Sequence, residues 1–333
     1  MKITIKDIAR IAGVSTATVS KILNKKDQNI SETTRNRVLE IIKKYGYVPN
    51  RVASSLVTKR TNTLGLIIPD IVNPFFPELA RGAEDKANER GYNLILCNSD
   101  NNVQKEEIYV DMLKEKMVDG IIFTASSRRT DKFKKLTSFQ VPVITVDREI
   151  EGLKTHGIIT VNNVKGAYDA VKYLLNRGYK KILHLTGPMT SKPTRDRYEG
   201  YCRALIDEGF EIEDCLVCEG DYSSDWGYEG ILRALKRDIK FDSVFCGNDL
   251  IAIGAIKALK VKGFDIPREV GVIGFDDIYM AKMIDPDLTT IKQPNYEMGY
   301  KAAELLIDMI EKKEIKINKY VLDTRLVIRK STK

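Results

Sequence analysis

Eight short segments of this chain place carboxylates, amides and a few aromatic rings directly after apolar runs. They are PDIVNPFF (69–76), CNSDNN (97–102), TVDRE (145–149), TGPMTS (186–191), EGDYSSDW (219–226), CGNDL (246–250), GFDD (274–277) and IKQP (291–294). Carboxylates and amides can take paired hydroxyls, and aromatic faces can cover the C–H side of a sugar ring. Catalysis is a poorer reading. The two histidines, His156 and His184, fall outside these segments. No nucleophile elbow, no metal cluster, no G-x-G-x-x-G after a first strand and no Walker sequence is present, which points away from an enzyme and from nucleotide binding. Five cysteines are an odd number in a long chain and argue against a disulfide framework. The lone Cys215-x-x-Cys218 lacks the second pair or nearby histidines that a metal site needs, so no metal and no cofactor is expected.

Short apolar strands alternating with amphipathic helices must position these segments. The first series of strands is read at 63–70, 92–99, 119–125, 141–147 and 157–163, the second at 180–187, 214–220, 243–249, 270–277 and 289–294. Helices such as PELARGAEDKANERG and LIAIGAIKALKVKG lie between them. This alternation predicts parallel sheets covered on both faces, and two series predict two doubly wound subdomains. In open α/β sheets ligands bind outside the carboxyl ends of strands, so the polar segments converge on a cleft between two lobes. The subdomains are read as 62–162 and 163–290, with the chain crossing back at 290–325.

The chain has 333 residues and a formal net charge of +8. Thirteen Lys/Arg and four Asp/Glu fall in residues 1–60, which leaves the remainder close to neutral. Such asymmetry fits a small domain facing a polyanion, joined to a larger neutral one. No apolar run approaches the ~20 residues of a membrane span, and MKITIKDIAR has no signal-peptide core, so a cytoplasmic location is expected.

Within the basic part, Thr4-Ile-Lys-Asp7 has the form of a helix start. Ile5, Ile8, Ala9 and Ala12 follow a helical stripe, Gly13 breaks it, and Ser15 can cap a second helix, TATVSKIL. A third helix runs from Ser31 to Tyr45, stopped by Gly46. Helix, tight Gly-containing turn, helix is a helix-turn-helix, whose second helix enters the major groove of DNA. Thr16, Ala17, Ser20 and Lys21 form its outer side, and Lys21 can reach guanine or a phosphate. Asn24, Ser31, Thr34 and Arg35 can contact phosphates. Thr4, Ser15 and Tyr47 complete the candidate DNA-facing set of this domain, residues 1–48.

The runs IKDIARIAGVSTATVSKILN and ISETTRNRVLEIIKKYGYVPN resemble the headpiece of the lac repressor family (LacI/GalR) without a break. Many members carry arginine after the TVS triplet; Lys21 stands there instead, so the bidentate fork is lost. The rest of the chain is similar to the family's effector domain, itself like periplasmic sugar-binding proteins. That resemblance implies an effector site of Asn73, Phe75, Phe76, Asn98, Asp100, Asp147, Arg148, Arg197, Tyr222, Asn248, Asp276 and Gln293. Asp277 is read as a helix cap, and Trp226 as a packing residue.

The resemblance further implies a DNA-binding transcription regulator, a repressor of carbohydrate use. It would be a homodimer on pseudo-palindromic double-stranded operator DNA, and the chain's early stop after TRLVIRKSTK points away from a tetramer. The effector expected is a neutral monosaccharide such as an aldopentose. The alternatives are a catabolite-control type of regulator partnered by a phosphorylated carrier protein, a nucleobase-type corepressor and, from another class, a sugar-binding transport protein.

Between the two parts, in the linker 49–61, lies NRVASSLV (50–57). It has helical spacing but is too short for a stable isolated helix. The matching family segment is a hinge helix, folded when two of them pack in the DNA minor groove. By that likeness Val52 and Ala53 make the helix–helix contact, Asn50 touches the backbone or a base edge, and Leu56 wedges between base steps. Leu56→Ala should therefore lower operator affinity strongly in a gel-shift titration while effector affinity, measured by calorimetry, stays the same.

Overall fold

The structure, a computed structural model, describes residues 3–23, 27–48, 60–127, 129, 133–137, 140–150 and 152–333. Asn24, Asn50, Val52, Ala53 and Leu56 lie outside the described residues. The chain divides into two compact units, residues 1–61 and 62–333.

In the first unit the Thr4 hydroxyl accepts the Asp7 amide and the Asp7 carboxylate accepts the Thr4 amide. This reciprocal cap opens α1 (Ile5–Ala12), which Gly13 ends at φ 63°. The Ser15 hydroxyl accepts the Thr18 amide at 3.0 Å and opens α2 (Thr16–Leu23). Ser31 accepts the Thr34 amide at the start of α3 (Glu32–Tyr45), and Gly46 closes that helix at φ 58°. One small core of Ile8, Ala9, Ala12, Val19, Ile22 and Val38 joins the three helices.

The second unit has two lobes. Lobe one begins with β1 (Thr63–Ile68), α4 (Phe75–Glu89), β2 (Asn93–Asn98), α5 (Val103–Glu115) and β3 (Gly120–Phe123), and continues with α6 (Lys134–Thr137), β4 (Val143–Val146) and β5 (Gly157–Val161). Lobe two follows as α7 (Asn163–Asn176), β6 (Ile182–Thr186), α8 (Lys192–Asp207), β7 (Val217–Glu219) and α9 (Ser224–Lys236), then β8 (Ser243–Cys246), α10 (Asp249–Val261), β9 (Gly271–Asp276) and β10 (Thr289–Lys292). The chain then returns to lobe one as α11 (Asn295–Ile310) and β11 (Lys319–Leu322), and crosses once more to add β12 (Arg325–Val327) to lobe two. The sheets run β11-β5-β4-β3-β1-β2 and β12-β10-β9-β8-β6-β7. All described pairings are parallel except β10 with β12.

Three backbone crossings therefore connect the lobes: after β5, after β10 and between β11 and β12. They lie close together. Val161 is in register with Leu322, Lys292 with Arg325, and the Asn162 amide donates to the Leu322 carbonyl at 3.3 Å.

All ten strands read from the sequence are present. Strands β11 and β12 were not read as strands. Both are edge strands with half-exposed faces, so KYVLDTRLVI lacks the continuous apolar run that marks a central parallel strand.

Helix pairs cover the sheet faces at very close range. A methyl group at Gly299 of α11 would run into the Leu79 carbonyl of α4, and one at Gly254 of α10 into the Ser224 carbonyl of α9. These contacts are backbone against backbone, so no side chain can move aside. Gly299→Ala is expected to cost about 1–3 kcal/mol or more of stability through overpacking, read as a lower urea midpoint of the unit 62–333.

Candidate functional site

Two surfaces carry the polar groups singled out above, one in each unit. In the first unit α2 presents Thr16, Ala17 and Lys21 to solvent, with Ser15 exposed at its start and Ser20 half-buried. Thr4, Ser15 and Ser31 first serve as helix caps, and the Ser31 hydroxyl also donates to Thr34 Oγ1 at 2.9 Å. Thr4 and Ser31 remain exposed. Tyr47 is half-buried against the three-helix core, and that burial raises its hydroxyl above the usual tyrosine value. The face is thus a basic, small-residue helix whose backbone can approach a partner closely.

In the second unit a cleft of about 280 Å³ opens at the carboxyl ends of both sheets. Residues that follow β1 reach it as Asn73, Phe75 and Phe76, where the Asn73 side chain accepts the Phe75 amide at 3.1 Å. The two phenylalanine rings meet edge to face at 5.0 Å. Past β4 come Asp147 and Arg148, and from lobe two come Pro193, Arg197, Tyr222, Asn248, Asp276 and Gln293.

Arg197, 4 % exposed, is the most heavily braced of these. Its Nε donates to Asn163 Oδ1 at 2.9 Å, its Nη1 donates to the Gly247 carbonyl, and its guanidinium lies 3.8 Å from the centre of the Phe275 ring. Its Nη2 stands 3.9 Å from Asp276 Oδ1, an oxygen that also accepts from Gln293 Nε2 at 2.6 Å. The glutamine bond is thus the tighter hold on Asp276, and the arginine acts on it mainly through charge. Arg148 places its guanidinium between aromatic faces, 5.6 Å from Phe76 and 5.2 Å from Tyr222. The Tyr222 hydroxyl is bonded to Thr194 at 2.5 Å, and its carbonyl accepts from Asn248 Nδ2 at 3.1 Å.

Burial holds Asp276 up at about 7, against the pull of Arg197 and Gln293, and burial likewise raises Asp147. Both aspartates have positive φ, 64° for Asp147 and 120° for Asp276. Such conformations are strained for residues other than glycine and collect at ligand sites. Asp147 Oδ1 and Gln293 Oε1 are buried with no hydrogen-bond partner. Buried polar atoms are almost always satisfied, so both oxygens stand ready for donors such as hydroxyls.

Asn98 and Asp100 do not line this cleft. Asn98 is the last residue of the edge strand β2, and its side chain accepts the Ile71 amide at 2.9 Å and donates to Asp100. Asp100 is exposed and paired with Lys105. Asp277 is no helix cap either: it forms an ion pair with Arg329 at 2.5 Å. Trp226 packs in the lobe-two core and donates to the Thr186 carbonyl at 2.9 Å. Sequence reasoning missed Pro193, Asn163 and Phe275. Pro193 lies just past the strand-end segment TGPMTS. Asn163 and Phe275 act by bracing Arg197, which residue type alone does not signal.

Residues 4–50 match a family model described as bacterial regulatory proteins, lacI family. Residues 61–330 match one described as periplasmic binding proteins and sugar binding domain of LacI family. The HTH-type transcriptional regulator RegA of Clostridium saccharobutylicum is 42% identical over 100% of both chains. The ribose operon repressor of Halalkalibacterium halodurans is 39% identical over 99% of this chain and 97% of its own. The solved lac repressor dimer bound to operator and the anti-inducer ONPF has a TM-score of 0.87 and 25% identity, covering 100% of this chain and 99% of that one.

The buried acids set an expected pH response of the ligand-free protein. A carboxyl raised on folding, such as Asp276, stabilises the fold below its unfolded value and loses that contribution as pH rises through about 7. His184 acts oppositely: burial lowers it to about 4, so its contribution is present above its unfolded value and is lost as pH falls through 4. Asp276→Asn removes the first effect, also lessens the raising of buried Asp249 by its neighbour's charge, and leaves the histidine in place. The variant should gain less stability, or lose more, than the parent between about pH 7 and pH 5, measured as urea midpoints across that range.

Proposed function

The chain belongs to the lacI family of bacterial regulatory proteins, and from that premise we propose a repressor of a carbohydrate-utilisation operon whose operator affinity is set by a small polyhydroxylated effector in the interlobe cleft. The observation that carries this reading is the cleft's lining. Two charged pairs, two unsatisfied buried oxygens and three aromatic rings share about 280 Å³. The 39% identity to a ribose operon repressor puts aldopentoses first in a panel of candidates.

In this reading α2 reads the major groove with Thr16, Ala17, Ser20 and Lys21, while Thr4, Ser15, Ser31, Thr34 and Tyr47 position the headpiece on phosphates. A dimer matches the two-fold symmetry of an operator; the related lac repressor structure is a dimer on its operator. The effector shifts operator affinity by binding one arrangement of the lobes better than another. The protein works in the cytoplasm and turns over no substrate. No helix among the described residues is long and apolar enough to cross a membrane.

The test is operator binding by the full chain with and without a panel of pentoses and hexoses. One of these sugars should change operator affinity and be recovered unaltered; consumption of the sugar would overturn the reading. Arg197→Ala leaves buried Asp276 without its nearest cation. A hydrogen bond to a charged group is worth about 1.5–3 kcal/mol, so loss of the arginine as a donor to the sugar should weaken sugar binding by about ten- to a hundredfold while sugar-free operator binding persists.

A further inference from the structure

Thr190 lies in the loop between β6 and α8, in lobe two, and its hydroxyl donates to the Ser127 carbonyl of lobe one at 2.5 Å. Each partner is braced within its own lobe. In lobe two the Met189 amide donates to Glu219 Oε1 at 2.8 Å, and Arg195 Nη1 donates to the Met189 and Thr190 carbonyls at 2.9 and 3.0 Å. In lobe one Asn101 Oδ1 accepts both the amide and the hydroxyl of Ser127, at 3.3 and 3.4 Å. Ser127 is buried, whereas Thr190 is exposed and belongs to no apolar core. Its hydroxyl therefore spans the two lobes without carrying the packing of either.

Two features make the position of this bond consequential. The first is its distance from the crossings. Ser127 follows β3, two strands along the sheet from β5, and Thr190 follows β6, three strands along from β10. At about 4.8 Å per strand, the bond stands roughly 10–15 Å from the crossings that follow β5 and β10. A bond so far from the line of rotation opposes opening with a lever arm. The second feature is its link to the cleft. Asn101 Oδ1 also accepts Arg148 Nη1 at 3.3 Å, and that nitrogen donates to the Ala125 carbonyl at 3.0 Å. Arg148 is the cleft residue whose guanidinium stands between the rings of Phe76 and Tyr222. A chain of hydrogen bonds thus runs from Thr190 through Ser127 and Asn101 to Arg148.

We propose that Thr190 and Ser127 form a latch that holds the lobes together over the cleft, and that Thr190 is thereby a positioning residue for Arg148 and for the ligand beside it. The positioning role rests on the reading of the cleft as the effector site; the latch itself does not. One uncharged hydrogen bond changes an equilibrium by about two- to tenfold. That is enough to bias the lobes towards one arrangement and little enough to be broken whenever a ligand enters or leaves.

The test compares the full parent chain with Thr190→Val, which keeps the shape and removes the donor, and Thr190→Ser, which keeps the donor. Without any sugar, amide hydrogen exchange at residues 124–127 and 187–191 should be about two- to tenfold faster in the valine variant and parent-like in the serine variant. Equal exchange in parent and valine variant overturns the latch, and so does a serine variant that behaves like valine. For a pentose or hexose that binds the parent, the valine variant should bind about two- to tenfold more weakly by calorimetry, with faster release in stopped-flow, and serine should restore both. Altered exchange with unaltered sugar affinity and release overturns the positioning role. If no sugar binds the parent chain, the reading of the cleft fails, and the exchange rates alone decide the latch.

Discussion

Two positive and two negative groups, Arg148, Arg197, Asp147 and Asp276, are buried together where the two sheets end. Removing charge from water is unfavourable unless each charge finds partners at short range, and the cleft supplies them unevenly. Arg197 is held by Asn163, by the Gly247 carbonyl and by the face of Phe275. Asp276 has Gln293 on one oxygen, and Asp147 keeps one oxygen without any partner. The cationic side of the site is therefore rigid before a ligand arrives, whereas the anionic side is incomplete. A polyhydroxylated molecule brings the donors that this side lacks, so ligand binding and the stability of the buried charges are coupled.

Everything that delivers these four groups follows from parallel strand order. Asp147 follows β4 and Asp276 ends β9, and both turn abruptly into positive φ at the point where the strand stops. The turn aims a carboxylate across the gap instead of along the sheet. The helix pairs hold the strand ends at fixed height because glycines let their backbones touch without an intervening side-chain layer. Such contacts leave little room for sliding, which confines motion to the junction between lobes.

Much of this was legible from residue order, for identifiable reasons. The caps at Thr4, Ser15 and Ser31 are local, and so are the glycine stops at Gly13 and Gly46, so short-range chemistry sufficed. The central strands are continuous apolar runs, and the strand-end rule then brought Asn73, Asp147, Tyr222, Asn248, Asp276 and Gln293 to one place. It failed where position in the sheet matters more than position in the strand. Asn98 ends a strand as Asp276 does, but β2 is the edge strand of its sheet, and the Asn98 side chain is taken up by the Ile71 amide and Asp100. Asp277 could not be separated from a cap because its partner Arg329 lies some fifty residues away in sequence. The edge strands β11 and β12 escaped because pairing on only one side relaxes the demand for apolar residues.

The three backbone crossings have a mechanical consequence. A single tether would let the lobes swivel, twist and shear independently. Three neighbouring tethers, cross-linked by the pairings of Val161 with Leu322 and Lys292 with Arg325, behave as a door hung on several pins. Twist is blocked, and the remaining freedom is rotation about one line. A displacement of a fraction of an ångström at the cleft is then magnified by the lever arm of the lobe, and it reaches the far edge as movement in one fixed direction.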